Sequence, residues 1–171
     1  MPEIIITMDG ADAIRERLRE ISARTSNLSP ILKAIGDRIV EQTKRRFEAG
    51  GPAPDGTPWK DPKTPNPKRV RTLTVSGHLR DSIRAQMMGR NAVMVGTDKT
   101  DKEYAAIHQK GGRTAASVIL PRRKKALKTP YGLFRRVNHP GSVIPARPFL
   151  GVSAENSREV LDMINDYIAK R

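Results

Sequence analysis

The chain has 171 residues, 32 Lys and Arg against 18 Asp and Glu, a formal net charge of +14 and no cysteine. That size suits one ordinary domain able to bury about 70% of its unfolded surface, and 37% apolar residues supply a core, which excludes a disordered tail. Without cysteine there is no disulfide framework, thiol nucleophile or Cys-ligated zinc. No apolar run is long enough to span a bilayer and no signal-peptide pattern is read at the N-terminus, so no membrane is expected as a partner.

In chain order, Glu3–Met8 reads as a short edge strand on its isoleucine run. A helix starts near Asp9, with Ala11, Ile14, Leu18 and Ile21 at helical spacing and Arg15, Glu16, Arg19 and Glu20 outside. Ser29-Pro30 predicts the next helix, Ser as N-cap and Pro at the first position. Ile31, Leu32, Ile35, Ile39, Val40 and Phe47 face inward, and Gly50-Gly51 ends it.

Residues 50–67 hold six of the thirteen prolines and read as a long extended loop. The only tryptophan, Trp59, lies within it and is expected to pin the loop to its own domain, or alternatively to a neighbour. Val70–Val75 is a strand candidate, and Ser76 caps a single helical turn through Ile83. Arg84–Met88 and Ala92–Thr97 flank Gly89-Arg90-Asn91 as a β-hairpin. Tyr104–Gln109 predicts a short helix ended by Gly111-Gly112, Ser117–Leu120 a strand, and Leu133–Val137 another, with the basic cluster Arg122–Lys128 at a turn between them. Ser153 caps a last helix carrying Val160, Leu161, Ile164 and Ile168 on one face. The expected architecture is α+β: a central antiparallel β-sheet packed by N-terminal and C-terminal helices, with long extended loops, in a single domain 1–171.

The positive charge is local. From Tyr104 to Ala154 there is no Asp or Glu, but there are ten basic residues: Lys110, Arg113, Arg122, Arg123, Lys124, Lys125, Lys128, Arg135, Arg136 and Arg147. The basic loop region 110–136 therefore points to a polyanion, nucleic acid foremost, or to a solvated loop kept for solubility. No zinc-finger, zipper or aromatic RNA-binding signature accompanies it, so a nucleic-acid contact would be blind to sequence.

No catalytic constellation is read. His78, His108 and His139 have no metal-motif spacing, and no G-x-S-x-G elbow or phosphate-binding glycine loop occurs. Asp55 and Asp61 lie in the proline-rich loop, and Asp98, Asp101 and Glu103 read as a solvated acidic turn. No cofactor, metal or enzymatic activity is expected.

Four separated segments carry a resemblance: Phe47 with Pro54-Asp55-Gly56-Thr57-Pro58-Trp59; Leu73-Thr74-Val75-Ser76-Gly77-His78-Leu79-Arg80-Asp81-Ser82-Ile83; Tyr104-Ala105-Ala106-Ile107-His108-Gln109-Lys110-Gly111-Gly112; and Ile144-Pro145-Ala146-Arg147-Pro148-Phe149-Leu150-Gly151. In this order they resemble the virion morphogenesis, or tail completion, proteins of Mu-like tailed bacteriophages, over about Phe47–Ser153. Lys110 departs from the pattern, which calls for an aromatic or aliphatic residue there. The resemblance implies a structural protein of the tail or neck, made in the host cytoplasm. It forms a homo-oligomeric ring, usually hexameric, that ends tail growth or joins tail to head. Its partners would be the tail tube, the head-proximal connector and genomic DNA passing through the lumen. Trp59, Arg147 and Phe149 are then candidates for subunit contact or loop anchoring, Arg147 by pairing with Asp81 or with a neighbour's carboxylate. Arg122, Arg123, Lys124, Lys125 and Lys128 are candidates for facing DNA or docking on a partner.

Overall fold

The computed structural model describes residues 10–22, 27–61, 72–98, 102–121, 125–129 and 131–169. The strand expected at Glu3–Met8, the first residues of the Val70–Val75 candidate and the cations Arg122, Arg123 and Lys124 lie outside them. The architecture is α+β. Its elements are helices α1 (Asp12–Ser22), α2 (Ser29–Ala49) and α3 (His78–Asp81), strands β1 (Ile83–Met87) and β2 (Val93–Thr97), helix α4 (Lys102–Lys110), short strands β3 (Gly112–Arg113), β4 (Ser117–Ile119), β5 (Leu127–Thr129), β6 (Gly132–Phe134), β7 (Val137–His139) and β8 (Val143–Ile144), and helix α5 (Ala154–Ala169).

Three helices make the first core cluster. The apolar stripe read from the sequence buries Ala11, Ile14, Leu18 and Ile21 of α1 against Ile31, Leu32, Ile35 and Ile39 of α2, and Val160 and Ile164 of α5. Leu161 lies at the edge of that face, half-buried and outside both core clusters. The start of α2 differs from the expectation. Ser29 is not the cap but the first helical residue. Asn27 Oδ1 accepts the Ser29 N–H (3.1 Å), which frees the Ser29 hydroxyl to donate to the Arg90 carbonyl (2.9 Å) and fasten α2 to the hairpin turn. At the other end Gly50 takes φ 79°, and Gly51 N–H returns to the Arg46 carbonyl (3.0 Å), as the Gly-Gly pair predicts.

The hairpin β1–β2 lies across α2, pairing Ile83 with Thr97 through to Met87 with Val93. Gly36 makes that crossing possible: a Cβ built there would stand 2.6 Å from Val93 Cγ2 and 3.0 Å from Ala85 Cβ. The segment before α3 is not a strand over its described part. Thr72–Leu73 form a turn, with Leu73 at φ 61°, and only Thr74 is bridged.

Among the described residues the remaining strands do not join a central sheet. Each pairs with one partner, in three successive antiparallel ribbons: β3–β8, β4–β7 and β5–β6. Chain order nests them into one arm. Register is continuous from Gly112↔Ile144 to Ser117↔His139. It then slips, because seven residues, 120–126, separate β4 from β5 on the outgoing strand, whereas two, Arg135–Arg136, separate β6 from β7 on the return. That pair also splits the single strand expected at Leu133–Val137 in two.

Two predictions follow from this packing. Helix propensity alone would favour Gly36→Ala by about 1 kcal/mol, but overpacking against Val93 costs about 1–3 kcal/mol. The substitution is expected to lower the urea unfolding midpoint, and a raised midpoint would show that the hairpin yields freely. The second concerns Glu159, where Arg38 and Gln42 converge on one carboxylate oxygen and tie α2 to α5. Hydrogen bonds from Gln42 and then Arg38 hold this carboxyl below its ordinary range. A depressed carboxylate stabilises the fold above its unfolded pKa and loses that contribution as pH falls through the lower folded value. Melting curves of the wild type and Glu159→Gln should therefore differ most at neutral pH and converge in acid; a gap independent of pH would refute the assignment.

Candidate functional site: an aromatic junction and a basic arm

The four motif segments meet in one place. Phe47, fully buried in the last turn of α2, meets Phe149 at 5.2 Å with the rings tilted by 52°, and Trp59 edge-on at 5.6 Å and 65°. The stretch Pro54-Asp55-Gly56-Thr57 delivers Trp59 by a tight return. Ala53 N–H donates to the Thr57 carbonyl, and Gly56 N–H to the Ala53 carbonyl, each at 2.9 Å. Asp55 Oδ1 accepts the Thr57 N–H (2.9 Å), which holds the Asp55 carboxyl below its usual value. Trp59 Nε1–H then donates to the Pro148 carbonyl (2.8 Å), so the indole is buried and satisfied. Trp59 thus ties its loop to the Pro148 backbone of its own chain. Leu79 of α3, Ile83 of β1 and Ala105 of α4 complete this second cluster.

Polar side chains fix the Ile144–Gly151 segment over the aromatics. Gln109 Oε1 accepts both the Phe149 and Leu150 N–H groups (3.0 Å each), and its Nε2 donates to the Leu150 carbonyl (2.8 Å). Arg46 reaches the Phe149 carbonyl through Nη1 (2.6 Å) and Asn156 Oδ1 through Nη2 (3.2 Å), and burial pulls its pKa below the ordinary value. Arg147 is buried. Its Nε donates to the Lys60 carbonyl (2.7 Å), so it clasps the proline-rich loop, while Asp81 is held by Arg80 Nε at 2.7 Å. Gln109 and Arg46 were not singled out from the sequence. Gln109 stands inside a quoted motif but has no periodicity to reveal its role, and Arg46 resembles the other cations of α2.

The arm departs from this junction. Gly111, at φ 74°, allows the close passage: a Cβ there would sit 2.8 Å from the Ala146 amide nitrogen. Beyond it the ribbon is poorly covered. Of the eleven exposed large apolar residues among those described, seven belong to it: Val118, Ile119, Leu120, Tyr131, Leu133, Phe134 and Val143, with Tyr131 90% exposed. Lys125 precedes β5 and Lys128 lies within it, opposite Leu133, with Arg135 and Arg136 at the break between β6 and β7. The histidines lie on α3, α4 and β7; His78 and His108 line one cavity with Tyr104 and Arg147, and His108 is ring-to-ring with Tyr104 at 4.5 Å. Among the described residues no group of three or more His, Asp or Glu side chains is placed to hold a metal ion, and no helix is long and apolar enough to cross a membrane.

The model of the phage virion morphogenesis family matches residues 9–169, which takes in all four motif segments, the flanking helices and the arm. The chain is also similar to the Mu-like prophage FluMu G protein 2 of Haemophilus influenzae, at 28% identity over 165 residues, covering 96% of this chain and 95% of that one. No solved structure matches.

Gln109→Ala strands two amide donors and one carbonyl at the junction, which is expected to cost about 2–3 kcal/mol of stability. Since Trp59 is the only tryptophan, its fluorescence during urea unfolding reads the junction directly. An unchanged midpoint would mean that Gln109 holds nothing in place.

Proposed function

The chain belongs to the phage virion morphogenesis family, and from that premise we propose that it completes the tail at its head-proximal end. It assembles as a ring, usually hexameric, that terminates tail growth and joins tail to head. Its part is structural, with no cofactor and no reaction of its own. It is made in the host cytoplasm and carried in the tail or neck. Its neighbours there are other copies of itself, the tail tube, the connector and the genomic DNA threading the lumen.

One observation carries this reading. The most specific stretches of the sequence converge on a packed aromatic junction from which an exposed two-stranded ribbon departs. A two-stranded ribbon is marginal by itself in water and needs a further surface to cover it. Such a device suits a subunit that meets a neighbour, since the motif residues are spent on holding the arm. Negative-stain microscopy of wild-type virions and of a deletion mutant tests the proposal. The mutant is expected to show tails of irregular length or tails separated from filled heads. Normal tails firmly joined to filled heads would overturn it.

A second reading, a sequence-blind nucleic-acid-binding protein, rests on the unopposed charge of the same arm. It requires salt-dependent DNA binding by the isolated monomer, lost when Arg122, Arg123, Lys124 and Lys125 are neutralised.

A further inference from the structure

The arm and the last helix carry opposite charges, most of them outside any ion pair among the described residues. Among the described residues no Asp or Glu pairs with Lys125, Lys128, Arg135 or Arg136. Of the five helices among the described residues, α5 alone is acidic: Glu155, Glu159, Asp162 and Asp166 stand against Arg158, a net charge of −3. By the same count α1 and α3 balance, and α2 and α4 are basic. Glu159 is taken up by Arg38 and Gln42. Glu155, Asp162 and Asp166 are exposed and in no ion pair among the described residues. Their spacing of seven and four residues puts them in one stripe on the outer face of α5, with exposed Arg158 on its flank.

We propose that the basic arm of one copy lies along the acidic outer face of α5 of the next copy, and that this contact is the subunit interface of the ring. The proposal rests on the ring reading above and deepens it. Two features select this occupant. Val118, Ile119, Leu120, Leu133 and Phe134 are interleaved with the cations; duplex phosphate would take the charges but leave these side chains in water, whereas a protein face covers both. Arm-to-arm pairing between copies would bury the same apolar residues but would set two acid-free basic ribbons side by side, where like charges repel. Arm on α5 removes both penalties. Because the two surfaces differ, the contact is head-to-tail, the kind that closes into a ring when the rotation allows.

The chain contains no cysteine, so any disulfide formed by engineered variants reports only the introduced thiols. Full-length Lys128→Cys, labelled with heavy nitrogen, is mixed with unlabelled full-length Asp162→Cys under mild oxidation, beside native mass spectrometry of the unmodified chain. The expected result is an oligomer in the native spectrum and a mixed-label disulfide as the main product. In parallel, reversing the arm (Lys125→Glu, Lys128→Glu, Arg135→Glu, Arg136→Glu) or α5 (Glu155→Lys, Asp162→Lys, Asp166→Lys) is expected to lower the assembled fraction about tenfold. Combining both sets should restore it. A like-label 128–128 product would show arm-to-arm pairing and overturn the proposal. So would an oligomer without the mixed product and indifferent to both reversals, although that result leaves the ring reading standing. A monomer at every concentration would overturn both. An arm-reversed chain that assembles normally but no longer binds a duplex DNA probe would assign the arm to DNA.

Discussion

A large aromatic ring at the end of a helix stays dry only if other parts of the chain come to cover it. Phe47 sits at that position, and it has two lids, Trp59 from the loop just after its helix and Phe149 from far along the sequence. Everything else in the second half of the fold follows from this closure. Because Trp59 must reach Phe47, the proline-rich loop folds back against α2. Because Phe149 must reach it too, the segment after the arm is fixed on Gln109 and Arg46. The arm's two ends are therefore held together by contacts outside the arm. A ribbon too thin to define its own position acquires one from its base.

The sequence exposed the helices and the hairpin well, for a plain reason. Apolar side chains at helical spacing in α1, α2 and α5 must share a face whatever the tertiary arrangement, and Gly-Gly after Phe47 can only end a helix. It was less readable where a polar group had two possible partners. Ser29 looked like a cap until Asn27 satisfied its amide and released its hydroxyl for another task. The arm was the least readable part. Strands of two or three residues are too short to show alternation, and a register slip between paired strands leaves no mark on either strand alone. Hence one expected strand resolved into two, and a central sheet into separate ribbons.

The candidate site shows the same division. Trp59 and Phe149 could be picked out because a lone tryptophan among prolines and a phenylalanine between prolines and a helix have few places to go. Arg147 could be picked out, but its hydrogen bond to a backbone carbonyl could not, since any carbonyl will serve. Charge was the most misleading quantity as a total and the most useful as a map. Most of the excess, +10 of +14, lies in the acid-free stretch, and α5 is the one described helix of opposite sign, a pattern that no whole-chain value records.

The closure around Phe47 also has a consequence in time. Phe47 and Phe149 stand 102 positions apart along the chain, and contacts of such long range slow folding. During synthesis the arm leaves the ribosome before Pro148, Phe149 and Leu150, which complete its base. Until those last residues emerge, the ribbon has no fixed direction in which to offer itself to another molecule. The contacts that fix the base of the ribbon are thereby completed only when nearly the whole chain has been made.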